Sequence, residues 1–113
     1  MIDIHTHILP GMDDGAVDIL DTIEMARLAA MSGVTEIVAT PHFNIPGLYD
    51  NAFWRALCDT FNQAARAIKE EKIPIRLFPG MEAFSTEDLP RQMADGKVMT
   101  INQSHYILME FCI

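Results

Sequence analysis

Along the chain, short apolar runs alternate with stretches of helical period. Residues 2–6 open apolar and alternating, which predicts a short buried strand. Residues 8–16 are a loop punctuated by Pro10, Gly11 and Gly15. From about residue 17 to 32, Ile19, Leu20, Ile23, Ala26 and Ala30 recur at helical spacing. Asp18 or Asp14 could cap that helix, and Gly33 stands where a helix end wants a left-handed residue. Residues 34–39 predict a second strand, ended by Thr40-Pro41-His42. A loop over about 43–49 with Pro46 and Gly47 leads to a long amphipathic helix at about 50–71. Phe53, Leu57, Phe61, Ala64 and Ile68 share one face of that helix. Residues 74–79 predict a third strand broken at Pro79-Gly80, 86–95 a short helix stopped by Gly96, and 106–111 a fourth strand.

Strands alternating with helices imply right-handed β-α-β units and a parallel sheet. The strands read as apolar on both faces, as in a barrel or a doubly wound sheet. No internal repeat, low-complexity segment or linker divides the chain, so its 113 residues are expected to be one α/β domain at most, 1–113.

Composition narrows the partners. Half the residues are apolar, enough for a buried core. A net charge of −8, from 16 acidic against 8 basic residues, argues against binding a nucleic-acid backbone. It does not argue against an anionic substrate, because bound cations would reverse the local sign. No apolar stretch has the length of a membrane span, and His5 follows Met1 too closely for a signal peptide. Cys58 and Cys112 lie far apart, outside any Cys-x-x-Cys pattern, and are expected as reduced thiols in a cytoplasmic protein.

The candidate chemistry sits at the strand ends. His5 and His7 are two apart, so on a strand both imidazoles project from one face, a geometry suited to a divalent metal. His42 follows the second strand, Glu82 the third, and Glu110 lies near the end of the fourth. The C-terminal ends of parallel strands face a common mouth, so these five side chains should converge. Each residue alone has a plainer reading. A lone His at a strand end is usually hydrogen-bonded, and Glu82 could simply sit near a helix N-terminus. Glu110, within an apolar strand, would be costly to bury unpaired. An imidazole and carboxylate set without thiolate suits Mn²⁺, Zn²⁺ or Fe²⁺, and Glu82 could bridge two ions. Asp13 and Asp14 follow the first strand: one could donate a proton to a leaving group, or either could shape the loop. His105 precedes the fourth strand and reads as a surface residue. No Gly-x-Ser-x-Gly elbow, phosphate-binding Gly-rich loop or dinucleotide fingerprint is present.

His-Thr-His-Ile-Leu-Pro-Gly-Met-Asp-Asp-Gly (5–15), Ala-Thr-Pro-His (39–42), Pro-Gly-Met-Glu (79–82) and Ile-Leu-Met-Glu-Phe (107–111) occur in this order. Together they resemble the bacterial manganese-dependent tyrosine-protein phosphatases of the polymerase-and-histidinol-phosphatase (PHP) superfamily, the CpsB/CapC type. The resemblance implies a distorted β/α barrel, of which this chain would be the N-terminal half. It implies Mn²⁺ in a cluster of two or three divalent ions, with His5, His7, His42, Glu82 and Glu110 matching metal ligands. Glu82 matches the bridging carboxylate, and Asp14 matches an acidic residue near the substrate, a candidate proton donor. The implied substrate is phosphotyrosine on a bacterial tyrosine autokinase that controls capsule and exopolysaccharide synthesis. The same ligands would also serve a phosphoesterase acting on a small ester such as histidinol phosphate.

The chain departs from that family in length. Family members continue into strands that supply further His and Asp ligands and a phosphate-gripping Arg, and Cys112 stands where Pro is usual. The resemblance therefore also allows an inactive fragment that only binds a partner. Open strand edges lead to the expectation of an unstable, aggregated or homo-oligomeric chain.

Overall fold

The computed structural model describes residues 1–45 and 53–111. Its framework is two parallel sheets laid end to end. Strand β1 (Ile2–Thr6) pairs with β2 (Glu36–Ala39), which pairs with β4 (Arg76–Pro79). Strand β3 (His42–Phe43) pairs with β5 (Glu82–Phe84), which pairs with β6 (Leu108–Glu110). The sequence predicts one four-stranded sheet, and the structure replaces it with six strands in two sheets. The breaks fall at Thr40-Pro41 and Gly80-Met81. Pro41 has no N–H to give a ladder, so the strand stops and restarts beyond it. At the first break Thr40 replaces the ladder: its N–H donates to the Thr6 carbonyl at 2.8 Å, and its Oγ1 accepts from the Thr6 N–H at 2.9 Å.

Helix α1 (Ile19–Met31) is capped by Asp18, not Asp14: the Asp21 N–H donates to Asp18 Oδ1 at 2.9 Å. Asp21 reciprocates, its Oδ2 accepting from the Val17 N–H at 3.0 Å, a variation on the capping box. Gly33 takes φ +90 just past the helix end, as its position predicts. The buried face of α1 is carried by Thr22 and Ala26, with Ile23 and Ala30 partly buried. Leu20, predicted on that face, is 71% exposed. Thr22 owes its burial to a hydrogen bond, its hydroxyl donating to the Ile8 carbonyl at 2.6 Å and tying α1 to the loop after β1.

Helix α2 (Phe53–Glu70) buries Phe53, Leu57, Ala64 and Ile68 as predicted. The start of that helix at 50, Pro46 and Gly47 of the preceding loop, and Cys112 lie outside the described residues. Helix α3 (Leu89–Ala94) is shorter than predicted, and a turn of 3-10 helix (Ile101–Gln103) that the periodicity did not reveal precedes β6. Ile8, Leu9, Ile37, Leu57, Met81 and Ala83 form the centre of the core. The first strand is not the buried strand predicted. β1 lies at a sheet edge, and its Ile2 and Ile4 are 59% and 52% exposed. An apolar sequence does not distinguish a central strand from an edge strand, since neighbours decide burial.

Candidate metal centre

The junction between the two sheets builds the site. The first sheet delivers its strand ends there, and the second begins there, so residues after β1, β2 and β4 meet. His42 and Glu82 are register partners across β3 and β5. Glu110 lies two residues beyond Leu108, the register partner of Glu82, so it projects from the same face. His5 and His7 arrive from β1, again on one face.

Glu82 is the hub. Its side chain is buried, yet its oxygens meet three imidazoles. Oε2 lies 3.2 Å from His5 Nε2, and Oε1 lies 3.2 Å from both His7 Nε2 and His42 Nδ1. Glu110 Oε2 is 3.3 Å from the same His42 nitrogen. The His7 and His42 rings stack at 4.4 Å, and His5 meets His7 edge-on at 5.3 Å. Asp14 is the outlier: 82% exposed at the rim, with Oδ1 3.3 Å from His42 Nε2. His105 is exposed and belongs to none of these groupings.

These short distances are not hydrogen bonds. His42 Nδ1, Glu82 Oε1 and Glu110 Oε2 are buried polar atoms with no hydrogen-bond partner. Three such atoms converging would be costly if nothing joined them. Donors sharing one ion at about 2.0–2.2 Å from it sit about 3.0–3.4 Å apart, without the angles of a hydrogen bond. The observed 3.2 and 3.3 Å separations match that spacing. His5, His7 and Glu82 form one metal-competent group and His42, Glu82 and Glu110 a second, with Glu82 common to both. The residues present therefore fit a pair of divalent ions bridged by Glu82, with nitrogen and oxygen donors and no thiolate. Cys58, an exposed free thiol on α2, takes no part.

A third group comprises His7, Asp13, Asp14 and His42. Within it Asp13 differs from Asp14 in every respect that matters. Its side chain is 2% exposed and both its oxygens are engaged. Oδ1 accepts from the Gly15 N–H at 3.0 Å, and Oδ2 accepts from the His42 N–H at 3.0 Å and lies 2.8 Å from His7 Nδ1. The residue types alone leave Asp13 and Asp14 alike, the resemblance singles out Asp14, and the fold separates their surroundings. Gly15 makes this loop possible. A Cβ there would fall 2.1 Å from the His7 carbonyl oxygen, so only glycine lets the loop fold back against the His7 backbone.

Comparison with known proteins follows the same outline. The chain matches the family described as capsular polysaccharide synthesis, CpsB/CapC, over residues 1–113. It is 46% identical over 113 residues to tyrosine-protein phosphatase YwqE of Bacillus subtilis, covering 98% of this chain and 43% of that protein. It is 29% identical over 111 residues to tyrosine-protein phosphatase CpsB of Streptococcus pneumoniae, covering 98% of this chain and 45% of that one. The fold superposes with a TM-score of 0.89 and 42% identity on a chain from the crystal structures of YwqE from B. subtilis and CpsB from S. pneumoniae. Those proteins are described as unique metal-dependent tyrosine phosphatases, and the match covers 99% of this chain and 44% of that one. The chain thus spans less than half the length of the relatives it matches.

Proposed function

The chain belongs to the CpsB/CapC family of capsular polysaccharide synthesis, and from that premise we propose that it carries the metal-binding part of a metal-dependent protein-tyrosine phosphatase. Its substrate is phosphotyrosine on a bacterial tyrosine autokinase that regulates capsule or exopolysaccharide synthesis. Its ions are Mn²⁺, it works in the cytoplasm, and its strands are those of part of a PHP-type β/α barrel. The observation that carries the reading is the convergence of His42 Nδ1, Glu82 Oε1 and Glu110 Oε2, all buried and all without hydrogen bonds.

His5, His7 and Glu82 would hold one ion, and His42, Glu82 and Glu110 a second. Divalent ions bound there would polarise the phosphoryl oxygens and activate water for in-line attack. The protein residues do the rest. Glu82, buried and common to both groups, would offer its carboxylate to either ion. To Asp14, exposed with Oδ1 3.3 Å from His42 Nε2, we assign donation of a proton to the departing tyrosine oxygen as the P–O bond breaks. The chain's net charge of −8 would repel a phosphoprotein, so the bound cations must also supply the local attraction. Among the described residues no helix is long and apolar enough to cross a membrane.

The test is phosphate release from a phosphotyrosine peptide with Mn²⁺, then with a chelator, beside a His7→Ala variant. The expected result is Mn²⁺ binding that the chelator reverses and the substitution weakens, with any phosphate release depending on both. Release indifferent to the chelator, or Mn²⁺ binding unchanged when His5 and His7 are both replaced, would overturn the proposal.

A further inference from the structure

We infer that Asp13 is a positioning residue: it holds His7 in the Nδ1–H tautomer, and with the same oxygen it fixes the backbone at His42. This rests on the metal reading above and adds a residue that is not itself a ligand. A carboxylate can only accept, so the 2.8 Å contact between Asp13 Oδ2 and His7 Nδ1 puts the proton on Nδ1. His7 Nε2 is thereby left as the ring nitrogen available to a cation. It lies 3.2 Å from Glu82 Oε1, an oxygen without a hydrogen bond, and a divalent ion bound between the two would join them. Asp13 thus aims the nitrogen that the metal needs.

The second bond of Asp13 Oδ2 is to the His42 N–H at 3.0 Å. His42 directly follows Pro41, at the break between the two sheets, where its N–H has left the first ladder. One oxygen atom therefore ties together a ligand after β1 and a ligand opening β3, 35 residues apart in sequence. The other oxygen accepts from Gly15 and holds the carboxylate plane. With three donors on two oxygens and 2% exposure, Asp13 is poorly placed to ligate an ion itself. Outer-shell carboxylates of this kind orient metal-bound histidines and raise their basicity.

The test begins on the metal-free wild-type chain. Long-range ¹H–¹⁵N correlation should show His7 Nδ1 protonated and bonded to Asp13, and a His7 whose Nδ1 carries no proton would overturn the inference without any variant. Calorimetry with Mn²⁺ then compares Asp13→Ala and Asp13→Asn. Asp13→Ala should weaken binding by about 10- to 100-fold and release the tautomer to a mixture. Asp13→Asn keeps a carbonyl acceptor for His7 and His42, and should retain the tautomer with a smaller loss. If Asp13 only shapes the loop, Asp13→Ala will lower the melting temperature yet leave His7 and Mn²⁺ affinity unchanged, which also overturns the inference. Failure of the wild type to bind Mn²⁺ would instead count against the metal reading, and the tautomer alone would then decide the role of Asp13.

Discussion

Replacing Gly15 with alanine tests whether the loop after β1 sets the position of His7. The added Cβ would lie 2.1 Å from the His7 carbonyl oxygen, 2.3 Å from His7 Cβ and 2.9 Å from the His7 carbonyl carbon. Comfortable contacts between such atoms start near about 3.5 Å, so loop and strand end must part by about 1.4 Å at the closest contact. Overpacking of this kind costs about 1–3 kcal/mol. The Ala16 N–H to His7 carbonyl bond, now 2.9 Å, would stretch, adding about 0.5–1.5 kcal/mol. Alanine offsets about 0.4–1 kcal/mol by stiffening the unfolded chain. The net loss is about 1–4 kcal/mol, or roughly 5–20 °C in melting temperature for a domain near this size. Because the displaced backbone is that of a proposed ligand, Mn²⁺ affinity should fall by about 10- to 100-fold. The assays are thermal melts and Mn²⁺ calorimetry, with Gly33→Ala as the control. Gly33 has φ +90 but open space around it, so its alanine should cost more than about 1 kcal/mol through backbone strain while leaving metal binding intact. A Gly15→Ala protein that melts within a few degrees of wild type and binds Mn²⁺ equally well would refute the reasoning.

Three further outcomes follow from the same geometry. Glu82→Gln should reduce Mn²⁺ binding more than His5→Ala, because the Glu82 carboxylate meets three imidazoles at 3.2 Å whereas His5 is half exposed; calorimetry ranking His5→Ala as the worse would contradict the hub role. Asp18→Ala should cost about 1 kcal/mol by removing the cap of α1, a shift of a few degrees in a melt, and a change in Mn²⁺ affinity would show that the cap reaches the site. Ile2 and Ile4 are exposed on the edge strand β1, a surface open to strand pairing; where the wild type elutes above monomer size in gel filtration, Ile4→Lys should shift it toward monomer, and an unchanged elution volume would exclude that edge as the contact.

How much of this was legible beforehand depended on whether the signal was local. The α2 face of Phe53, Leu57, Ala64 and Ile68 is legible in the sequence because a strong 3.6-residue period survives any tertiary arrangement. The face of α1 is less legible. Leu20 fits the period yet faces solvent, and Thr22, polar by type, is fully buried because Ile8 offers its hydroxyl a carbonyl. The single sheet became two because Pro41 sits mid-run, a break the sequence displayed but an apolar-run reading passes over. The burial assigned to β1 failed because exposure of Ile2 and Ile4 follows from which strand lies beside them.

The site divides along the same line. Strand order and strand-end position are enough to bring His5, His7, His42, Glu82 and Glu110 toward one mouth, and both are legible in the residues. What each atom faces depends on packing in three dimensions. Adjacent and chemically identical, Asp13 and Asp14 end up 2% and 82% exposed. The fold-back of the loop onto His7 and the approach of the His42 N–H turn one inward to three donors and leave the other at the rim. That outcome depends on contacts between residues distant in sequence, which no local pattern encodes.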